Sequence, residues 1–110
     1  MAAKFEIKQA KDGQFYFNLK AGNGQIILTS EMYRAKNSAE NGIASVKKNS
    51  LDDGKFDILK SKKNQPYFVL KAGNHEVIGR SETYSSTSAM KNGIKSVKTN
   101  APGARIADLT

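Results

Sequence analysis

The sequence lacks cysteine and has a single histidine, His75, among its 110 residues. Without thiols the chain has no disulfide bridge, no thiol nucleophile and no thiolate metal ligand. A Ser-His-Asp or Cys-His arrangement needs a base within reach of a nucleophile, and a lone histidine in a predicted turn is more typical of an exposed loop. A histidine-based metal site lacks ligands for the same reason. The sequence therefore predicts no catalytic residue, no metal site and no cofactor, and we expect a protein that is not an enzyme.

Long apolar runs are also missing. The opening residues, Met-Ala-Ala-Lys-Phe-Glu-Ile-Lys, alternate polar and apolar side chains. They carry neither the apolar core of a signal peptide nor a segment long enough to span a bilayer. We expect a soluble cytoplasmic protein with no membrane partner.

Acidic residues are scarce relative to basic ones. The chain has 18 lysines and arginines against 10 acids, a net charge of +8. Residues 1–54 contribute +2 and residues 55–110 contribute +6. This excess points to a nucleic acid or another polyanion as a possible partner. The alternative is a solubilising surface, which the scattered positions of the lysines favour.

What the chain does contain is a duplication. Residues 5–49 and 56–100 align at a constant offset of 51 without a gap, and 22 of the 45 paired positions are identical. The identities run through Y-F-x-L-K-A-G-N, S-E-x-Y and N-G-I-x-S-V-K. Repeats this close place equivalent residues in equivalent environments, so each half serves as a control for the other.

Size predicts that the two repeats share one core. A half of about 50 residues is marginal without disulfides, metal or a partner. We therefore expect one domain over residues 1–110, built of repeat 1 (about 5–49), repeat 2 (about 56–100) and a closing strand (about 104–109). The expected state is a monomer with an internal pseudo-dimer. Buried phenylalanines are expected at Phe5, Phe17, Phe56 and Phe68.

The hydrophobic period changes within each repeat. Alternation with a period of two, interrupted by tight turns, predicts three strands, and a later spacing of four and three predicts a helix. The resulting order, β-β-β-α-β-β-β-α-β, favours an α+β fold in which both helices cover one face of a single, mainly antiparallel sheet. Asn37 and Ser86 or Ser88 are the expected N-caps, and Asn49 and Asn100 the expected left-handed helix ends. Glycine inside both helices, at positions 42 and 93, predicts close approach of helix and sheet.

Taken together, the motifs F-x-I, the D-G turn, YF-x-LKAGNG, SE-x-Y, GI-x-SVK-x-N and the closing I-x-DLT resemble the YegP-like family of small bacterial proteins of unknown function. The resemblance covers nearly the whole chain. It implies two tandem β-β-β-α-β repeats that share one sheet, related by a pseudo-twofold axis, with exchanged closing strands. Single-copy members would pair as dimers. The chain departs from the pattern at Lys63-Asn64, in place of Asp-Gly, and at His75, in place of the second glycine of AGNG.

Two repeated sets of residues are candidates for binding. The first lies where the third strand of each repeat leaves the sheet, an element end at which ligand sites collect. It comprises Ser30, Glu31 and Tyr33 with Ser81, Glu82 and Tyr84. The alternative is structural, with each tyrosine packed beneath the helix start and each glutamate meeting helix donors.

The second set lies on the predicted sheet face opposite the phenylalanines. It comprises Tyr16 and Lys20 with Tyr67 and Lys71. Aromatic and cationic side chains on an uncovered sheet are typical of single-strand nucleic-acid platforms, in which bases stack and cations hold phosphate. A half-exposed amphipathic sheet carries such residues in any case, so both interpretations stay open.

Three other motifs favour structural roles. Asp52-Asp53 lacks the spaced oxygen ligands of a calcium loop. The Lys20-Ala-Gly-Asn-Gly segment leads into a strand, whereas phosphate loops open onto a helix N-terminus. Glu31 and Glu82 are related by the repeat, and near-symmetric environments oppose the separated pKa values that acid-base chemistry needs.

These observations predict a non-enzymatic binding module for an unidentified partner or ligand. The first alternative is a weak single-stranded nucleic-acid binder that uses the open sheet face. An enzyme of unknown type is the second.

Overall fold

The computed structural model describes residues 3–110. Its elements follow the order expected from the repeats. They are β1 (Lys4–Gln9), β2 (Phe15–Lys20), β3 (Ile26–Ser30), α1 (Lys36–Asn49), a 3₁₀ turn (Asp53–Lys55), β4 (Phe56–Lys60), β5 (Pro66–Lys71), β6 (Val77–Arg80), α2 (Thr87–Asn100) and β7 (Arg105–Asp108).

All the strands of the described residues join one sheet in the order β4-β5-β6-β3-β2-β1-β7. The two repeats meet at the antiparallel pair β3 and β6, which lies at the pseudo-twofold axis. The closing strand β7 crosses back from the second repeat and pairs in parallel with β1 of the first. This is the shared, mainly antiparallel α+β sheet that the sequence predicted.

Helices and aromatic rings build one core on a single face of the sheet. Phe5, Phe17 and Phe68 are fully buried and Phe56 is nearly so, as predicted. They pack with apolar residues of both helices, namely Ala39, Ile43, Val46, Met90 and Val97. Because this cluster draws on both repeats, neither half encloses a core of its own.

The pseudo-twofold symmetry fails at its own axis, where two leucines would collide. Leu28 of β3 is fully buried, and its counterpart in β6 is Gly79. A Cβ atom added at Gly79 would lie 2.8 Å from Leu28 Cγ, well inside contact distance. One large side chain and one glycine therefore fill the space that two equivalent leucines cannot share.

The helix ends differ in part from the sequence prediction. Ser86 caps α2, with its hydroxyl accepting from Ala89 N, as expected. Asn37 does not cap α1, because the helix begins at Lys36 and Ala35 holds the cap position without a side-chain bond. The prediction of left-handed helix ends was wrong: Asn49 and Asn100 are the last helical residues, and each side chain donates to a serine carbonyl one turn earlier, which holds it in the helix.

Tight turns use positive φ at equivalent positions in the two repeats. Gly13 and Asn64 have φ of 88° and 64°, and Gly24 and His75 have 84° and 69°. In the second hairpin of repeat 2, His75 takes the left-handed conformation. The left-handed conformation is strained for a histidine and unstrained for a glycine.

Candidate functional site

The repeated serines complete the sheet. Ser30 Oγ accepts from Phe17 N at 2.8 Å and donates to the Glu31 carbonyl at 2.8 Å. In the second repeat Ser81 Oγ makes the equivalent bonds to Phe68 N and the Glu82 carbonyl, at 3.0 and 2.8 Å. Both serines are buried. Each hydroxyl therefore satisfies backbone groups at the point where β3 or β6 ends and the main-chain ladder stops.

The repeated tyrosines lie between sheet and helix, as the structural alternative requires. The Tyr33 ring stacks on Phe17, with centroids 6.2 Å apart, and Tyr84 stacks on Phe68 at 6.3 Å. Their hydroxyls reach the helix glycines, Gly42 and Gly93. Burial, and then the neighbouring Glu31 or Glu82, raises the pKa of each tyrosine. Both phenols therefore stay protonated at neutral pH.

The repeated glutamates do not meet helix donors. Glu31 and Glu82 are exposed, and Glu31 Oε1 lies 4.0 Å from Arg80 Nη2. The residue equivalent to Arg80 in the first repeat is Thr29, so Glu82 has no corresponding arginine. The two acids therefore occupy different electrostatic environments despite the duplication.

Glu82 borders two shallow grooves that bring together residues from both predicted sets. One, of about 500 Å³, is lined by Lys20, Tyr84 and the end of the β2–β3 hairpin. The other, of about 290 Å³, is lined by Tyr67, Arg80 and Ser81. Both grooves are open to solvent.

The uncovered sheet face holds a charged cluster that sequence analysis missed. Glu6 is only 5% exposed, and the ammonium groups of three lysines surround its carboxylate. The Nζ–Oε distances are 2.9 Å for Lys20, 3.2 Å for Lys4 and 3.7 Å for Lys8. Lys20 makes the largest contribution to a lowered pKa of Glu6. Desolvation of the carboxylate acts in the opposite direction, and Lys4 lowers the pKa further. The signal lay in the K-x-E-x-K spacing of β1, which puts the three side chains on one face.

The same position in the second repeat is less basic. Asp57 replaces Glu6 and lies 2.6 Å from Lys71 Nζ, and Leu59 replaces Lys8. Four equivalent positions therefore carry a net charge of +2 in the first repeat and +1 in the second. The predicted pair Lys20 and Lys71 is thus ion-paired in both repeats, with more unneutralised charge around Lys20.

The two predicted tyrosines of this face lie far apart. Tyr16 and Tyr67 are half-buried, on β2 and β5, with β3 and β6 between them. The register places Asn18, Thr29, Arg80 and Val69 in one row, with the tyrosines displaced from it in opposite directions. With about 4.8 Å between strands and 3.4 Å per residue, their backbones are roughly 20 Å apart. Each tyrosine is therefore a separate contact point.

The remaining motifs take local structural roles. Asp52 Oδ1 accepts from Gly54 N at the 3₁₀ turn, and Asp53 pairs with Lys98. His75 is exposed in its turn. Among residues 3–110, no group of three or more His, Cys, Asp or Glu side chains is placed to hold a metal ion. No helix in that same range is long and apolar enough to cross a membrane.

Comparison with known proteins gives matches along the whole chain. The family described as "Domain of unknown function (DUF1508)" matches twice, at residues 10–57 and 61–108. These ranges keep the offset of 51 but place the boundaries later than the repeats at 5–49 and 56–100. The UPF0339 protein YegP of Yersinia pestis is 60% identical over 106 residues, covering 96% of this chain and 95% of that protein. A UPF0339 protein of Acinetobacter baylyi is 59% identical, covering 100% of this chain and 99% of its own length.

Solved structures show the same fold. The solution NMR structure of a UPF0339 protein from Shewanella oneidensis has a TM-score of 0.94 and 49% identity, covering 100% of this chain and 93% of that one. The structure of YegP from E. coli, described as a protein of unknown function, has a TM-score of 0.94 and 45% identity, covering 100% and 95%. The chain therefore belongs to the YegP-like UPF0339 family, with two tandem DUF1508 repeats.

Proposed function

We propose that the protein is a non-enzymatic binding module and that the sheet face opposite the helices is its binding surface. The observation that carries the proposal is the composition of this face. It presents half-buried tyrosines and lysines, and both α1 and α2 pack on the opposite face. Half-buried aromatic rings offer contact area at a small cost in conformational entropy. The cytoplasmic location remains a prediction of the sequence.

The environments of the polar residues support a binding role over catalysis. Ser30 and Ser81 are saturated by backbone partners. The lowered pKa of Glu6 keeps its carboxylate ionised beside three lysines, so it is a poor proton acceptor at neutral pH. A nucleophile paired with a base is not formed by these residues.

Photo-crosslinking tests the binding surface. We expect a photoreactive phenylalanine analogue at Tyr16 or Tyr67 to capture a cellular partner. The same group at Glu40, exposed on α1, serves as the matched control because it faces away from the sheet. Adducts only from the helix position would reject the open face as the binding surface.

The second candidate function is weak binding of single-stranded nucleic acid on the same face. It is favoured by the excess positive charge around Glu6, where three lysines surround one carboxylate next to the strand that carries Tyr16. Phosphates would gain from these cations, and a base would stack on the tyrosine. The charge difference between the repeats favours the first as the stronger contact.

Oligonucleotide titration at two salt concentrations tests this alternative. Tyr16→Ala should weaken binding by about 1–3 kcal/mol, and Tyr67→Ala by less. Lys8→Leu, which copies the second repeat, should flatten the salt dependence, whereas Leu59→Lys should steepen it. If all four variants bind the oligonucleotide with the same affinity, or if heparin binds as tightly as the oligonucleotide, the interaction is only a non-specific attraction to polyanions.

A further inference from the structure

The two edges of the sheet are equivalent in sequence but not in structure. At one edge β1 pairs with β2 and also with β7. At the other edge β4, the repeat counterpart of β1, pairs with β5 alone among the described strands. No strand of residues 3–110 therefore occupies the place that corresponds to β7.

Chain connectivity explains the difference. Residues 105–108 follow α2 and form β7, whereas residues 54–57, their counterparts after α1, form the 3₁₀ turn and the start of β4 itself. The segment that would close the first repeat is therefore part of β4, the first strand of the second repeat. Because the repeats are covalently linked in this way, only one edge of the sheet gains a closing strand.

The two edges differ in the exposure of one pair of identical, repeat-related residues. Ile7 and Ile58 occupy the same place in the F-x-I motif of each repeat. Ile7 is 0% exposed, while Ile58 is 55% exposed and its neighbour Leu59 41%. Because successive side chains of a strand point to opposite faces, Ile58 is exposed on the helix face of this edge and Leu59 on the open face. Exposed apolar side chains on an unpaired edge strand favour pairing with another chain.

The main chain of this edge is also directed outwards. In the closed edge, Ile7 C=O accepts from Leu109 N at 2.9 Å. The N–H and C=O of one strand residue point the same way, so those of Ile58 point away from β5 by the same register. Unpaired groups in a row are the template on which extended segments add as strands.

Charge argues for the class of occupant. Lys55 and Lys60 flank Ile58 and Leu59, and Lys62 and Lys63 follow in the adjoining turn. The acid between them, Asp57, is paired with Lys71. Lysines on an edge, in a chain of net charge +8, disfavour pairing with a second copy. They attract an acidic segment.

We propose that the outer edge of β4 binds an extended, acidic segment of another protein as an added parallel strand. The closed edge supplies the register, in which Arg105, Ile106, Ala107 and Asp108 face Lys4, Phe5, Glu6 and Ile7. Transferred to β4, this register places an apolar residue opposite Phe56 and a small residue opposite Asp57. The residue opposite Lys55, which is Arg105 in the closed edge, should instead be acidic, as should the residue opposite Lys60.

One position should differ from β7. Asp108 pairs with Lys36 of α1, and the counterpart of Lys36 in α2 is Thr87. An aspartate opposite Ile58 would therefore lack its cation and would lie against an apolar side chain. We expect an apolar residue there.

Peptide titration followed by NMR tests the proposal with the intact protein. The probe is a peptide of residues 104–110 carrying Arg105→Glu, Asp108→Val and Thr110→Glu. It should shift the amides of Phe56–Lys60 saturably, and the unmodified peptide should bind at least tenfold more weakly. A spin label at the peptide N-terminus should broaden Lys55 more than Lys60, because the added strand is parallel.

Two variants and a control make the result decisive. Ile58→Pro removes only an outward N–H and should weaken the probe at least tenfold in a protein that keeps its fold. If that variant unfolds, Ile58→Asp decides, because its carboxylate would repel the acidic probe and lie against the apolar residue of the probe. Tyr16→Ala should leave probe binding unchanged, since Tyr16 lies on β2, which β5, β6 and β3 separate from β4. No shift at millimolar probe, equal shifts with a scrambled peptide, broadening at Lys60, or reversible dimerisation through β4 would overturn the proposal.

Discussion

Replacing the helix glycine Gly42 by alanine should destabilise the protein, although alanine is the better helix former. A Cβ atom at this position would lie 2.9 Å from Tyr33 Cζ, closer still to the hydroxyl, and 3.0 Å from Phe17 Cε2. The tyrosine cannot swing freely, because its ring is stacked on the phenylalanine. The glycine therefore allows the close approach of helix and sheet that the sequence predicted, with the Tyr33 and Phe17 rings as the contacts.

The magnitude follows from two opposing terms. Alanine gains about 1 kcal/mol of helix propensity over glycine. Overpacking a filled site costs about 1–3 kcal/mol. We expect a net loss of about 1 kcal/mol in the free energy of unfolding, or a fall of about 4–8 °C in melting temperature for a domain of this size.

Urea denaturation of single and double variants tests the mechanism. Tyr33→Phe removes the closest atom, so it should recover part of the loss when combined with Gly42→Ala. Gly93→Ala and Tyr84→Phe repeat the experiment in the second copy, where the added Cβ would lie 2.7 Å from Tyr84 Cζ. A higher stability of both alanine variants, or additive effects in both double variants, would refute the close-contact explanation.

Three further predictions use the duplication or the charged cluster. Ile7→Ala should cost about 2–5 kcal/mol by urea denaturation and Ile58→Ala less than about 1 kcal/mol, since only the first is buried; similar losses would contradict the open edge. Because the pKa of Glu6 is lowered in the folded protein, the ionised Glu6 carboxylate stabilises the fold at any pH above the unfolded pKa of about 4.5. This stabilisation is lost as the pH falls through the folded pKa. Wild-type stability should therefore drop more steeply below about pH 4.5 than that of Glu6→Gln, and parallel pH profiles would argue against the ion pairs. His75→Gly should increase the free energy of unfolding by about 0.5–1 kcal/mol and so raise the melting temperature, because this position requires positive φ. Gly24→His should lower the melting temperature for the same reason. Unchanged melting temperatures of both variants would exclude backbone strain at these positions.

Much of the architecture was predictable because local periodicity and the duplication both encode it. Alternating residues gave the strands, the spacing of Ile43 and Val46 gave the helix face, and an offset of 51 showed that the halves are equivalent. The candidate site was predicted only as residue types on faces. Tyr16 and Tyr67 do lie on the open face, half-buried, but their separation depends on which strands come between them.

By itself the sequence determined the repeat, the strand and helix order, the shared core and the absence of thiol chemistry, since these depend on residue type and spacing. Tertiary structure alone decided which of two identical patterns is buried. Ile7 and Ile58 lie in the same motif, yet one is covered by β7 and the other is exposed. Likewise Ser30 and Tyr33 have structural roles because both contact Phe17 of the preceding strand, Ser30 through a hydrogen bond and Tyr33 through ring stacking. Long-range pairing depends on how connectivity distributes the strands, and no local pattern carries that information.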